Sequence, residues 1–244
     1  MAPLKVAVII PAYHEESLIK KTLEGIPDFV HEIIVVDDAS ADGTFNTALE
    51  VDDSRVKVLS HKTNRGVGAA IYTGYFEALK GASDAFVVMA GDNQMDPADL
   101  KALLKPLEQG DADYVKGNRL RHSMVHDMPL LRRWGTRLLA VFTSWAAGTH
   151  LEDTQCGFTA ITRKASQLLP YSDLWPRFGY PNDLLICLIR RGARITEVNV
   201  RPVYADEKSG LHFWHLLFVS GVIFRRWYLE SSLRSSKRQV SPLA

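Results

Sequence analysis

The stretch DAFVVMAGDNQMDPADL, residues 84–100, begins as an apolar strand, breaks into acid and amide at Asp92, Asn93 and Gln94, and restarts as a helix at Pro97. Phe86 to Met89 are apolar without alternation, which fits a strand covered on both faces. Asp96 stands before Pro97 with Asp99 three residues on, the form of a helix N-cap with proline at the first helical position. Asp92 and Gln94, in the loop between, are hard oxygen donors of the kind Mg2+ or Mn2+ takes. One carboxylate and one amide hold such an ion weakly, so a bound diphosphate and water would have to complete its shell.

The same strand, polar end and helix recur on both sides of this stretch. KVAVIIPAY is followed by HEESLIKKTLEGI, whose Leu18, Ile19, Leu23 and Ile26 share a helical face. HEIIVVDDAS, SRVKVLSHKTN and ADYVKGNR read as further strands, with a helix over 66–79 and another over 97–107. The alternation predicts an α/β fold, a mostly parallel sheet flanked by helices on both faces. In such sheets ligands gather beyond the carboxyl ends of the strands. The polar clusters Tyr13 to Glu16, Asp37 to Asp42, His61 to Gly68, Asp92 to Asp96 and Lys116 to Arg121 all fall there. Beyond Arg121 the chain predicts a long helix carrying Arg132, Arg133 and Arg137, a loop LEDTQCGF leading into a strand, and a last helix–turn–strand unit.

Composition narrows the function class. The 244 residues carry 29 Lys+Arg against 28 Asp+Glu, a net charge of +1, which gives no global reason to expect nucleic acid as a partner. With 46% hydrophobic residues the chain can bury a substantial core. Two cysteines, Cys156 and Cys187, are too few for a disulfide framework and suit a reducing cytosol. MAPLKVAVIIPAY reads as a first strand rather than a secretory leader. No segment reaches the ~18 uninterrupted apolar residues of a membrane span. The nearest, 211–229, is broken by His212, His215, Arg225 and Arg226 and fits a packed helix, a homodimer contact or a helix lying in a headgroup layer. The expectation is a cytoplasmic protein, at most peripheral on the cytoplasmic face of a membrane.

Several constellations keep two readings. Asp37 and Asp38 can cap the following turn or face a ligand. Gly66 and Gly68 before a helix can bring backbone N–H groups to a phosphate, although neither a full dinucleotide fingerprint nor a P-loop is present. Asp183 can open its helix or serve there as a general base. The histidines form no zinc pattern. A signalling receiver domain fits poorly, because the chain is too long and lacks the phosphoacceptor arrangement. A nucleotidyltransferase would need a Gly-rich, Lys-containing loop where PAYHEE stands.

Taken in order, VIIPAYHEE, EIIVVDDASADGT, NRGVGAAIYTGY, MAGDNQMDPADL, YVKGNR and DTQCGF resemble the family 2 glycosyltransferases of GT-A fold, closest in style to dolichol-phosphate-mannose-synthase-like and bacterial polysaccharide-assembly members. The likeness runs from Val6 to Tyr204 and implies a transferase domain over 1–205, with a C-terminal amphipathic helix and basic tail over 206–244. It implies that Pro11, Tyr13 and Glu15 line the base and ribose pocket, that Asp38 or Asp37 bonds the base, and that Gly66 and Gly68 let the wall approach. Ala90 and Asp92 align with the two carboxylates of a DxD motif, leaving Asp92 with Gln94 to hold Mg2+ or Mn2+. Arg119, Arg132 and Arg133 resemble phosphate contacts, and Lys208 in YADEKSG resembles one from a closing loop. Asp153 and Gln155 of DTQCGF join the substrate-binding set, and Asp183 aligns loosely with the base of inverting members. The implied reaction moves a sugar from a UDP- or GDP-linked donor to a lipid phosphate or a glycan hydroxyl, with inversion. The absence of a carboxylate at Ala90 sets against it a catalytically weak module that binds nucleotide-sugar or a partner.

Overall fold

The computed structural model describes residues 3–202 and 213–239. From the N-terminus, strand β1 (Val6–Ala12), helix α1 (Ile19–Glu24), β2 (Glu32–Asp37), α2 (Thr44–Leu49), β3 (Val56–Ser60), α3 (Val67–Lys80) and β4 (Ala85–Val88) alternate as the apolar pattern predicts. They are followed by α4 (Leu100–Glu108), β5 (Tyr114–Asn118), α5 (Leu130–Ala147), β6 (Thr159–Thr162), the short α6 (Arg163–Ser166), α7 (Tyr180–Arg190), β7 (Ile195–Asn199) and α8 (Phe213–Gln239).

The strands form one seven-stranded sheet in the order β3-β2-β1-β4-β6-β5-β7. Its β3-β2-β1-β4 half is parallel, and so is the β5-β7 pair; β6 runs antiparallel between β4 and β5. The apolar runs are continuous because alternate residues feed two separate cores. Ala7, Ile9, Ile34, Val36, Phe86 and Val88 face one, together with α3, α5, α7 and α8. Val8, Ile10, Ile33, Val35, Ala85 and Val87 face the other, with α1 and α4.

Close helix–strand contact depends on Gly74 of α3. A Cβ built there would stand 2.3 Å from Ile9 Cγ2 in the centre of β1. Gly74→Val is therefore expected to cost ~1–3 kcal/mol in overpacking, and ~2–4 °C of melting midpoint for each of those kcal/mol. Thermal unfolding followed by circular dichroism checks it, and an unchanged midpoint would mean that α3 can lift off β1 without loss.

The proposed N-cap is present. Asp96 accepts a hydrogen bond from the Ala98 amide at 2.9 Å, and Pro97 opens a 3-10 turn that leads into α4. Both cysteines are free and buried. No helix among the described residues is long and apolar enough to cross a membrane.

Candidate active site

Sheet order reverses at β1, which pairs with β2 on one side and β4 on the other. A crevice must open beyond the carboxyl ends of these strands, where the flanking connections diverge. A cavity of about 270 Å3 lies there, lined by Pro11 and Ala12 at the end of β1, Tyr13 and Glu15 after it, Asp38 after β2, Asn64, Gly66 and Val67 at the start of α3, and Ala90 to Asp92 after β4. The backbone is strained around it. Among the described residues, the non-glycine positions with positive φ are His14 (61°), Ala39 (63°) and Asn93 (56°), one in each of these three loops. A side chain in that conformation costs ~1–2 kcal/mol, so the surrounding contacts must impose it.

Those contacts are visible. The Asp38 carboxylate takes the Arg65 and Gly66 amides at 2.8 and 2.6 Å and His61 Nδ1 at 2.6 Å. It thereby folds the 61–66 segment into the cavity wall. Gly66, at φ 99°, also backs against Pro176 and Arg177, whose atoms lie 2.6–2.7 Å from where its Cβ would stand. On the opposite side the Ser40 hydroxyl accepts the His14 amide at 3.0 Å, and the Thr44 hydroxyl accepts that of Glu15 at 2.8 Å. The Tyr13 ring stacks on His14 with centroids 4.0 Å apart, leaving an aromatic face at the mouth.

A second cavity, about 170 Å3, lies on the other side of Asp92. Asp92, Gln94 and Met95 form one wall, and Arg119, Arg132 and Arg201 bring three guanidinium groups to it. Gln155 to Phe158 close the floor. Asp92 borders both cavities, so it stands between a nucleoside-sized space whose other charged lining residues are Glu15 and Asp38 and a cationic one. Asp92 Oδ1 accepts the Gln94 amide at 3.0 Å, and the left-handed Asn93 between them lets the chain turn tightly enough to bring both residues to one cavity.

Arg119 is held from below. Asp153, fully buried, takes its Nε at 2.8 Å and Nη2 at 3.0 Å, and also accepts the amides of Arg119, Gln155 and Cys156. Burial alone would raise this carboxyl, but the Arg119 guanidinium outweighs it and holds Asp153 below the ordinary aspartate range. Lys116, also fully buried, donates to the Cys156 carbonyl, and burial depresses its pKa. Gln155 Nε2 donates to Asn182 Oδ1 at 2.9 Å, tying the floor to α7.

The structure therefore brings together Pro11, Tyr13, Glu15, Asp38 and Gly66 around one cavity, Gln94, Arg119, Arg132 and Gln155 around the other, and Asp92 between them. Five other sequence candidates lie elsewhere. Asp37 is buried and accepts the Ser40 amide and the Ser60 hydroxyl. The space over Gly68 is taken by the Trp175–Pro176 backbone, 2.8 Å from its Cβ position. Arg133 donates to the Val125 carbonyl at 2.7 Å, one residue round the helix from Arg132. Asp153 supports Arg119 without lining either cavity. Asp183 is fully buried and holds Arg226 Nε at 2.9 Å and Nη2 at 2.8 Å, so it does not reach the site as a base. Lys208 and the YADEKSG loop lie outside the described residues. Arg201, just beyond β7, and Asn64 were not singled out from the sequence. The strand-end rule that marked Lys116 to Arg121 would have marked Arg201 as well.

Comparison with known proteins gives a consistent result. The chain is 28% identical to the UDP-N-acetylglucosamine--dolichyl-phosphate N-acetylglucosaminyltransferase of Methanococcus voltae, over 84% of this chain and 88% of the relative. It is 30% identical to the dolichyl-phosphate beta-glucosyltransferase of Drosophila melanogaster, over 97% of this chain and 79% of the relative. Its fold matches a crystal structure of Mycobacterium tuberculosis glucosyl-3-phosphoglycerate synthase in complex with Mn2+, UDP and glucosyl-3-phosphoglycerate. The TM-score is 0.68 at 23% identity, covering 94% of this chain and 80% of that one. The fold is thus the GT-A type expected. The family model described as "Glycosyl transferase family 2" matches residues 7–166, which include the lining of the first cavity and that of the second apart from Val200 and Arg201, and the chain belongs to that family.

Proposed function

We infer that this chain transfers a sugar from a nucleoside-diphosphate-sugar, with UDP as the nucleotide, to a lipid-linked phosphate. The observation that carries the reading is Asp92, placed between a cavity sized for a nucleoside and a cavity walled by Arg119, Arg132 and Arg201. A donor laid across that boundary would set its base and ribose against Pro11, Tyr13 and Gly66, its diphosphate at Asp92, and its sugar over Gln155 to Phe158. The dolichyl-phosphate enzymes among the relatives support the acceptor, and the UDP-bound neighbour supports the nucleotide.

The donor set fits a divalent ion. The carboxylate of Asp92 and the amide of Gln94 belong to one tight loop and are hard oxygen donors, which suit Mg2+ or Mn2+. Among the described residues no cluster of three His, Cys, Asp or Glu side chains could hold a metal without help. The diphosphate would supply the remaining oxygens, so ion and donor should bind together. When bound, the ion supplies charge neutralisation to the departing nucleoside diphosphate.

The chain's own residues do the rest. The arginines stabilise negative charge that grows on the leaving group, and Asp153 holds the Arg119 fork in place for that task. Among the described residues lining the arginine cavity, Asp92 is the only carboxylate. A lipid phosphate suits such a site, because it is attracted by the arginines and is already an anionic nucleophile with no proton to lose. Displacement from the face opposite the leaving group inverts the anomeric carbon.

Calorimetry with UDP and GDP, with and without Mn2+, followed by nucleotide release in the presence of a polyprenyl phosphate, tests the reading. Metal-strengthened UDP binding with turnover supports it. Tight, metal-independent binding without turnover would instead favour a nucleotide-sugar-binding module. Arg119→Lys keeps a charge above Asp153 but loses the planar fork, and turnover is expected to fall ~10²-fold. Normal turnover in that variant would remove Arg119 from the leaving-group role.

A further inference from the structure

Two separate supports hold Arg119 at the cationic cavity, and both run back to one side chain on β7. The first is the Asp153 carboxylate, which grips the guanidinium. Asp153 itself belongs to the connection 148–158 between α5 and β6, which contains neither helix nor strand, so no backbone ladder fixes it. Glu197 does so instead. Its Oε1 accepts the amides of Glu152 and Asp153 at 3.1 and 3.0 Å, and its Oε2 shares the Glu152 amide at 3.1 Å.

The second support is the backbone beside Arg119. Asn118, fully buried, accepts the Leu120 amide at 2.9 Å through Oδ1, which fixes the turn that contains Arg119. The Asn118 Nδ2 group donates to Glu152 at 3.0 Å and to Glu197 at 3.4 Å. Glu197 lines neither cavity; it sits half-buried one strand away, in register with Lys116 of β5. Its negative charge opposes loss of a proton from Lys116 and from Arg121, so a carboxylate is favoured there over a neutral acceptor. Amide bonds to a carboxylate are also about twice as strong as those to a neutral oxygen.

We propose that Glu197 is a positioning residue for sugar transfer, setting the height of Asp153 and, through Asp153, the aim of the Arg119 guanidinium into the cationic cavity. The proposal rests on the inferred role of Arg119 at the donor diphosphate. An arginine fork points reliably only if the carboxylate beneath it is stationary, and a misplacement of about 1 Å at a reacting site costs as much as ~10²-fold in rate. Glu197 stands outside the segment 7–166 that the family model matches, yet it controls a residue inside it.

A square of four full-length proteins tests this: wild type, Glu197→Ala, Arg119→Lys and the double variant. Each is assayed by UDP release from UDP-glucose and from UDP-N-acetylglucosamine with undecaprenyl phosphate as acceptor. Glu197→Ala is expected to lower kcat and kcat/KM together by ~10-fold, but by only about twofold in the Arg119→Lys background, where the fork it aims is already gone. Metal-free UDP affinity is expected to stay near that of wild type, since Glu197 lies away from the nucleoside cavity. A second readout is independent of turnover. In arginine-labelled protein the Arg119 Nε–H resonance, assigned by its absence from Arg119→Lys, reports the bond to Asp153, and its exchange with water is expected to quicken in Glu197→Ala. Should that variant fail to fold, Glu197→Gln keeps one acceptor oxygen and is expected to show the same changes at smaller size. Equal losses in both backgrounds, the mark of a residue that only braces the fold, would overturn the proposal. So would full turnover, or an unchanged Arg119 resonance, in a folded Glu197 variant. Normal turnover by Arg119→Lys, or none by wild type, would instead sink the inferred role of Arg119, and the resonance alone would then decide whether Glu197 positions it.

Discussion

Asp92→Asn is expected to lower sugar transfer ~10³-fold or more while the melting midpoint moves by no more than about 2 °C. The substitution keeps an oxygen in the position of Oδ1, so the Gln94 amide retains its 3.0 Å acceptor and the loop around Asn93 keeps its form. What disappears is the negative charge at the boundary of the two cavities, on a half-buried side chain at the one place where nucleoside space meets guanidinium groups. Neutral amides hold Mg2+ and Mn2+ far less well than a carboxylate does. Metal-dependent strengthening of UDP binding should therefore vanish. Metal-free UDP affinity should stay near that of wild type, because Pro11, Tyr13, Asn64 and Gly66 are untouched. Paired calorimetry and nucleotide release separate these effects. Full turnover by the variant would remove Asp92 from the reaction, and loss of metal-free binding would show that its charge shapes the nucleoside cavity instead.

The same loop shows why part of this molecule was legible before its structure. A strand buried on both faces leaves an unbroken apolar run, and β1, β2 and β4 each end such a run at a polar cluster. Strand ends at a switch point must face one crevice, so Pro11, Asp38 and Asp92 could be grouped without knowing their contacts. Side-chain direction on helices could not be read that way. Arg132 and Arg133 are neighbours in sequence, yet a rotation of 100° sends one to the cavity and the other to the Val125 carbonyl. Gly68 is a glycine for a partner 107 positions away, since Trp175 and Pro176 fill the space above it. Asp153 was recognised in DTQCGF by resemblance, but its work is support: it aims a residue from the end of β5 that is distant in sequence. In each case local pattern sets the element, and a long-range contact decides what the side chain does.

The buried pair Asp183–Arg226 is such a contact, and its disruption is expected to be the most costly single change to stability. Asp183 is 0% exposed and Arg226 1%. The carboxylate takes both Nε and Nη2 of Arg226 and the Trp175 amide at 3.0 Å. The guanidinium also donates to the Asp173 carbonyl at 2.7 Å. Burial would push Arg226 towards losing its proton, but the hydrogen bonds to Asp183 more than offset this and keep it firmly charged. Asp183→Ala leaves that charge buried and short of its main partner, which costs ~3–5 kcal/mol, against ~2–4 °C of midpoint for each of those kcal/mol. Arg226→Met alone should also be damaging, because it leaves the buried carboxylate with the Trp175 amide and the partly exposed Arg225, 3.6 Å away, as its remaining partners. The double variant Asp183→Ala/Arg226→Met should lose much less than the sum, because no unpaired charge remains. Denaturant unfolding of the four proteins gives the coupling directly. A general base would behave differently: Asp183→Asn would then suppress turnover at unchanged stability and remove the acidic limb of the pH–rate profile. Because α7 carries Asp183 and α8 carries Arg226, the structural role predicts a lowered midpoint in every single variant and a pH–rate profile of unchanged shape in whatever fraction remains folded.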